Sequence, residues 1–171
     1  MSGVHLHLLV NHAPILGALF ALALLVASFI WAPDVLRRTA LVVLVGTALA
    51  GAAADLTGEP AEDAIRGFPG VKRAVIHEHE ELGEKAYVAS VVVGVLALGV
   101  LIWKRRAPIE GPITFGVLIG AAIVAGMMAY TGLLGGQIRH TEVRPGATPA
   151  DATVIEPRPV RPPGARPPGA D

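Results

Sequence analysis

Four long blocks of hydrocarbon decide what this chain can fold into. They run from about Ala13 to Trp31, Leu36 to Ala54, Tyr87 to Trp103 and Ile113 to Leu134. Each supplies roughly 17–22 residues, close to the ~20 that an α-helix needs to cross a ~30 Å hydrocarbon layer. A segment inside lipid must satisfy its own backbone hydrogen bonds, so each block is predicted to be a helix. The composition agrees. Of 171 residues, 53% are hydrophobic and 16% charged, where an average soluble domain has about 45–50% and about 25%. The first block is predicted to remain as a span, because no basic segment precedes it and its apolar run is too long for a cleaved signal. The expected fold is all-α, a four-transmembrane-helix bundle whose first partner is the lipid bilayer.

The formal net charge is zero, which gives no reason to expect nucleic acid. There is no cysteine, so disulfides, thiolate metal sites and covalently attached haem are excluded. The connections are uneven. "APDVLRR" and "KRRAPIEGP" are tight, Pro-broken loops, whereas Asp55 to Lys85 is a longer link. Within that link "GEPAEDAIRG" reads as a separate short helix, with Pro60 in its first turn and Gly67 as its stop. After residue 142 the chain turns rich in Pro, Gly and Ala, and "RPPGA" occurs twice. Residues 1–142 are thus expected to form the transmembrane domain and 143–171 a disordered Pro/Gly-rich tail.

An even number of crossings puts both ends and the long link on one side of the membrane. All six histidines fall there, with Asp55, Glu59, Glu62, Asp63 and the glutamates of "VIHEHEELGEK". The opposite side carries Arg37, Arg38, Lys104, Arg105 and Arg106 against only Asp34 and Glu110. Basic residues so dense in short loops predict a cytoplasmic location for that side. The histidine side and both termini are then extracytoplasmic, and a multi-pass protein of the bacterial inner membrane is expected. Trp31 and Trp103 sit at the tight-loop interface, where indoles anchor well.

Helical phase selects among the histidines. From His79 one face reads Gly83, Ala86, Ser90, Gly94, Ala97, a run of small residues of the kind that lets membrane helices approach closely. His79 is therefore predicted to head the buried face of span three. His77, about 200° away, shares a wet outer face with Glu81 and Glu84. The same test gives Ala122, Gly126, Ala129, Leu133, Gly136 and His140 on span four, and Gly46, Ala50 and Ala54 on span two. On span one, Asn11 reads as an N-cap before Pro14, which puts His12 at the bundle mouth. His5 and His7 read as interfacial side chains.

"HLHLLVNHAPILG", "LTGEPAED", "IHEHEE" and "GGQIRHTE" resemble the motif set of a bacterial family of small four-span membrane proteins of unknown function. The resemblance covers about residues 4–142 and excludes the tail. It singles out Asn11, His12, Pro14, Thr57, Gly58, Glu59, Glu62, His79, Glu80, Gly135, Gly136 and His140. It implies a site at these helix ends and no settled activity.

Three imidazoles and several carboxylates at one bundle mouth suit a transition-metal ion, with Fe, Zn, Cu and Mn all compatible with N and O donors. They also suit a haem b held by two histidines. The expected ligands are His12, His79, His140, Glu59 and Glu80, supported by Asn11, Asp55, Glu62, Tyr87 and Tyr130. Redox or electron transfer is the function this set favours. A hydrolase with Glu80 as base needs an open metal position. A small transporter lacks the midplane charge that coupled transport uses. A structural or assembly subunit, partnered by other membrane proteins or by copies of itself, is the remaining class.

Overall fold

The computed structural model describes residues 3–31 and 33–157. Among the described residues, five α-helices build four crossings. α1 (Gly3–Val10) and α2 (His12–Ala27) form one broken crossing, followed by α3 (Pro33–Ile65), α4 (Arg73–Trp103) and α5 (Gly111–Arg139). The break at Asn11 lies where Pro14 has no N–H to give the Val10 carbonyl. Asn11 itself keeps helical angles and makes no capping bond, so the expected N-cap is absent. At 1.5 Å per residue, helices of 29–33 residues are roughly 45–50 Å long and overshoot a ~30 Å hydrocarbon layer.

That overshoot corrects two expectations. "GEPAEDAIRG" is not a separate helix. α3 runs unbroken through Pro60 to Ile65. α4 begins at Arg73, well before the predicted Tyr87. Polarity ends a hydrocarbon span but not a helix, and Glu, Lys and Ala all favour helix in water. The proline is accommodated with Gly3 of α1 beside it, so close that a Cβ there would lie 2.9 Å from the Pro60 Cβ.

α2 packs on α3 and α5, α4 packs on the same two, and α1 lies along α3. The four crossings therefore form a ring in chain order, up and down alternately. Near the tight loops the core is Ala21, Leu25, Ala40, Leu41, Leu44, Ala97, Ile109 and Ala121. Nearer the histidine end it is Ala18, Ala86, Val124, Ala125 and Met128. Buried Ser28, Thr47, Ser90 and Thr114 return their hydroxyls to carbonyls of their own helices, which satisfies them without a partner across the bundle.

The predicted seam of α4 is buried as expected: Ala86, Ser90, Gly94 and Ala97. The seams of the neighbouring helices are rotated away from their predicted phase. α3 buries Leu41, Leu44, Thr47 and Gly51, while Gly46 is exposed with nothing within 4 Å of it. α5 buries Ala121, Val124, Ala125, Met128 and Leu134. The predicted row Ala122, Gly126, Ala129, Leu133, Gly136 and His140 faces outward. Small residues are so frequent on these helices that several rows share the same spacing. Spacing gives a period, and only the facing helix picks the row.

At the tight-loop end arginines tie the two hairpins together. Arg38 donates to Asp34 Oδ2 at 2.8 Å and to the carbonyls of Lys104 and Ala107 at 2.9 and 2.7 Å. Arg37 donates to the Ile109 carbonyl at 2.6 Å. Trp31 and Trp103 are exposed at that level, as expected of interface anchors.

The tail holds more order than its composition suggests. Residues 143–157 lie against the histidine end, and residues 158–171, with the "RPPGA" repeat, lie outside the described residues. Arg144 is nine-tenths buried and closes the last turn of α5, donating to the carbonyls of Gln137, Ile138 and, across the link, Gly70. Gly70 adopts φ 78°, a turn glycine suits, and its N–H donates to the Val154 carbonyl at 2.8 Å. Lys72 pairs with Asp151 at 2.6 Å, and the Arg73 N–H donates to Glu156. Polar contacts of this kind need no apolar periodicity, so composition does not announce them.

Candidate functional site

Two polar clusters occupy the histidine end. The inner one pairs imidazoles from α1 and α4. His79 sits at the head of the buried α4 seam, and its Nδ1–H donates to the Thr131 carbonyl of α5 at 2.9 Å. His7 Nδ1–H donates to the Ala54 carbonyl of α3 at 3.1 Å, with Thr57 Oγ1 also at 3.1 Å. Carbonyls only accept, so these bonds place the proton of each neutral ring on Nδ1 and leave Nε2 with a lone pair. The ring centres are 6.5 Å apart and the ring planes nearly perpendicular. Glycine makes room: a Cβ on Gly135 would lie 3.0 Å from His79 Cε1.

The outer cluster is an open cleft of about 300 Å³ lined by Glu62 and Arg66 of the α3 end and Arg73, His77 and Glu80 of α4. Arg66 grips Glu62 at 2.6 Å and Asp63 at 3.1 Å. Glu80 faces Glu62 across the cleft.

The structure therefore divides the predicted ligand set. His79 faces inward, as its phase predicts. His12 is exposed and bonds the Leu8 carbonyl of α1, one turn back across the break, at 3.2 Å. His140 is exposed and pairs with Glu142 at 2.9 Å. The three imidazoles do not converge, because α1 and α2 are nearly continuous and α5 turns its histidine row outward. Among the described residues, no group of three or more His, Asp or Glu is arranged to hold a metal ion. Glu80 lines the cleft with Glu62, and Glu80, Glu59 and Asp55 are all exposed. Tyr87 is half-buried against Gly51, Tyr130 is exposed, and the Asn11 Oδ1 is buried without a partner.

His7 is the residue that sequence reasoning missed. "GVHLHLLV" holds no breaker, so reading the helix back from Pro14 to Gly3 would have placed His7 one turn before Asn11 on the same face. His77, predicted to be outward, is exposed and also lines the cleft.

Comparison with known proteins finds one family model, described as "Predicted membrane protein (DUF2231)", matching residues 3–143. No curated protein and no solved structure matches the chain.

Proposed function

The chain belongs to the DUF2231 family of predicted membrane proteins, and from that premise we propose that His7 and His79 are the protein ligands of a transition-metal centre at the histidine end of the bundle, haem b iron before a bare ion. The observation that carries this reading is the paired geometry of the two rings. Each Nδ1–H is spent on a backbone carbonyl, the arrangement that orients metal-bound histidines. With metal–nitrogen bonds of about 2.0–2.1 Å, two imidazoles on one ion bring their ring centres to roughly 5–6 Å, near the 6.5 Å seen here. A bare ion wants three or four protein donors, and two are assembled. Haem would need only two ligands from the chain, which His7 and His79 would supply, since the porphyrin would provide the rest. Bound haem would supply one-electron chemistry. This chain's part is to orient the two rings. The crowding of basic residues in the tight loops supports an inner-membrane protein with this end extracytoplasmic.

The test is an absorption spectrum and elemental analysis of detergent-purified full-length protein from cells supplied with iron and haem precursors. A Soret band is expected, lost in His7→Ala and in His79→Ala and kept in His12→Ala and His140→Ala. Stoichiometric metal without a Soret band would favour the bare ion. Neither signal in the wild type would overturn the proposal. It would leave the pair as a structural tie, a reading favoured by the carbonyl bonds through which His7 holds α1 to α3 and His79 holds α4 to α5.

A further inference from the structure

The tight-loop end carries a charge imbalance that the fold does not absorb. Its two acids are both engaged: Asp34 accepts from Arg38 and from the Ile109 N–H at 2.9 Å, and Glu110 accepts from Lys104 at 2.6 Å. Arg37 turns inward to the Ile109 carbonyl, with its guanidinium 5.7 Å from the centre of the Phe29 ring. Arg105 and Arg106 are left exposed, with no side-chain hydrogen bond or ion pair to any described residue. They directly follow Trp103 and Lys104. Trp103 is 68% exposed, and Trp31 of the other hairpin is 64% exposed at the same end. Exposed indoles belong at the headgroup level of a bilayer. The loop that carries the two arginines is held by Arg38, so their backbone is set in place before anything binds. Above them Val95, Leu98 and Ile102 make one exposed apolar face of α4.

We propose that Arg105 and Arg106 form a binding site for the phosphate of an anionic phospholipid, whose acyl chains lie along the Val95, Leu98 and Ile102 face of α4. Guanidinium forks match phosphate oxygens two at a time. Uncompensated basic residues beside a span are drawn to anionic headgroups. The inference does not depend on the metal reading, because it concerns the opposite end of the bundle.

The test is the thermal midpoint of the detergent-purified full chain with phosphatidylglycerol, phosphatidylcholine or inorganic phosphate added at equal concentration. Phosphatidylglycerol is expected to raise the midpoint by a few degrees over phosphatidylcholine, as a ligand of the folded state does. Arg105→Gln/Arg106→Gln should lose most of that shift, and Lys85→Gln at the other end should keep it. The proposal is overturned if the double variant responds fully, or if inorganic phosphate reproduces the effect. Should the double variant not fold, native mass spectrometry of the wild type decides. Retention of phosphatidylglycerol over phosphatidylcholine supports the site, and equal retention removes it.

Discussion

At the scale of single residues, the bundle depends on where side chains are missing. A Cβ on Gly94 would lie 2.8 Å from the Ala48 Cβ and 3.4 Å from the Leu44 carbonyl of α3. Neither neighbour can yield without the helices parting. Gly94→Ala is therefore expected to cost about 1–3 kcal/mol, the usual penalty for overfilling a packed core, seen as a lower thermal midpoint in detergent. Gly126, on the outward row of α5 with nothing within 4 Å, should accept alanine with no change in the same assay. Gly135→Ala separates site from fold. Its Cβ meets the edge of the His79 ring, so the ring shifts from the Thr131 carbonyl. The expected outcome is a changed or weakened cofactor spectrum with the helix content unchanged by circular dichroism.

At the scale of elements, the helices outrun their hydrocarbon segments, and the projecting ends build the polar site. The α3 end brings Glu62 and Arg66 to the outer cleft and α4 brings Arg73, His77 and Glu80, while α1 brings His7 to the inner pair with His79. The tail is fastened over the same end by polar contacts, which gives it a pH dependence. Hydrogen bonds from Lys72 and from Thr148 hold the Asp151 carboxyl well below its usual value of 3.8. A carboxyl depressed in the folded state stabilises the attachment above its unfolded value and loses that contribution as pH falls through the folded one. The tail should thus stay docked at neutral pH and loosen progressively below about pH 4. Amide exchange of Gly70, whose N–H donates to Val154, reports it. Its protection factor should drop on acidification, and in Asp151→Asn it should be lower already at neutral pH.

At the scale of the whole molecule, the ring of four crossings sorts chemistry to its two ends. Cysteines introduced one at a time for His5 and Glu142 should react with a membrane-impermeant thiol reagent from the same side, and one for Arg106 from the other. The chain has no native cysteine to confuse the readout. Arg38 links the two hairpins at the tight-loop end through two carbonyls and Asp34. Hydrogen bonds to charged groups are worth about 1.5–3 kcal/mol, and this guanidinium is partly solvated. Arg38→Ala is expected to cost about 2 kcal/mol, and Arg38→Lys nearly as much, because an ammonium cannot span three acceptors arranged around a fork. Both are read from unfolding midpoints.

Four spans, their alternation, the gathering of histidines at one end and the buried face of α4 were legible in the sequence. Each follows from hydrophobicity and helical period, which are local properties of the chain. The partner of His79 was not legible. Nor were the phases of α3 and α5, the continuity of α3 through Pro60 or the fastening of residues 143–157. On α3 and α5 several small-residue rows share one spacing, and which row turns inward is settled by the shapes of the neighbouring helices. His7 meets His79 only because the packed helices bring the α1 and α4 ends to the same height. Those are relations between segments distant in the chain, and only the assembled bundle decides them.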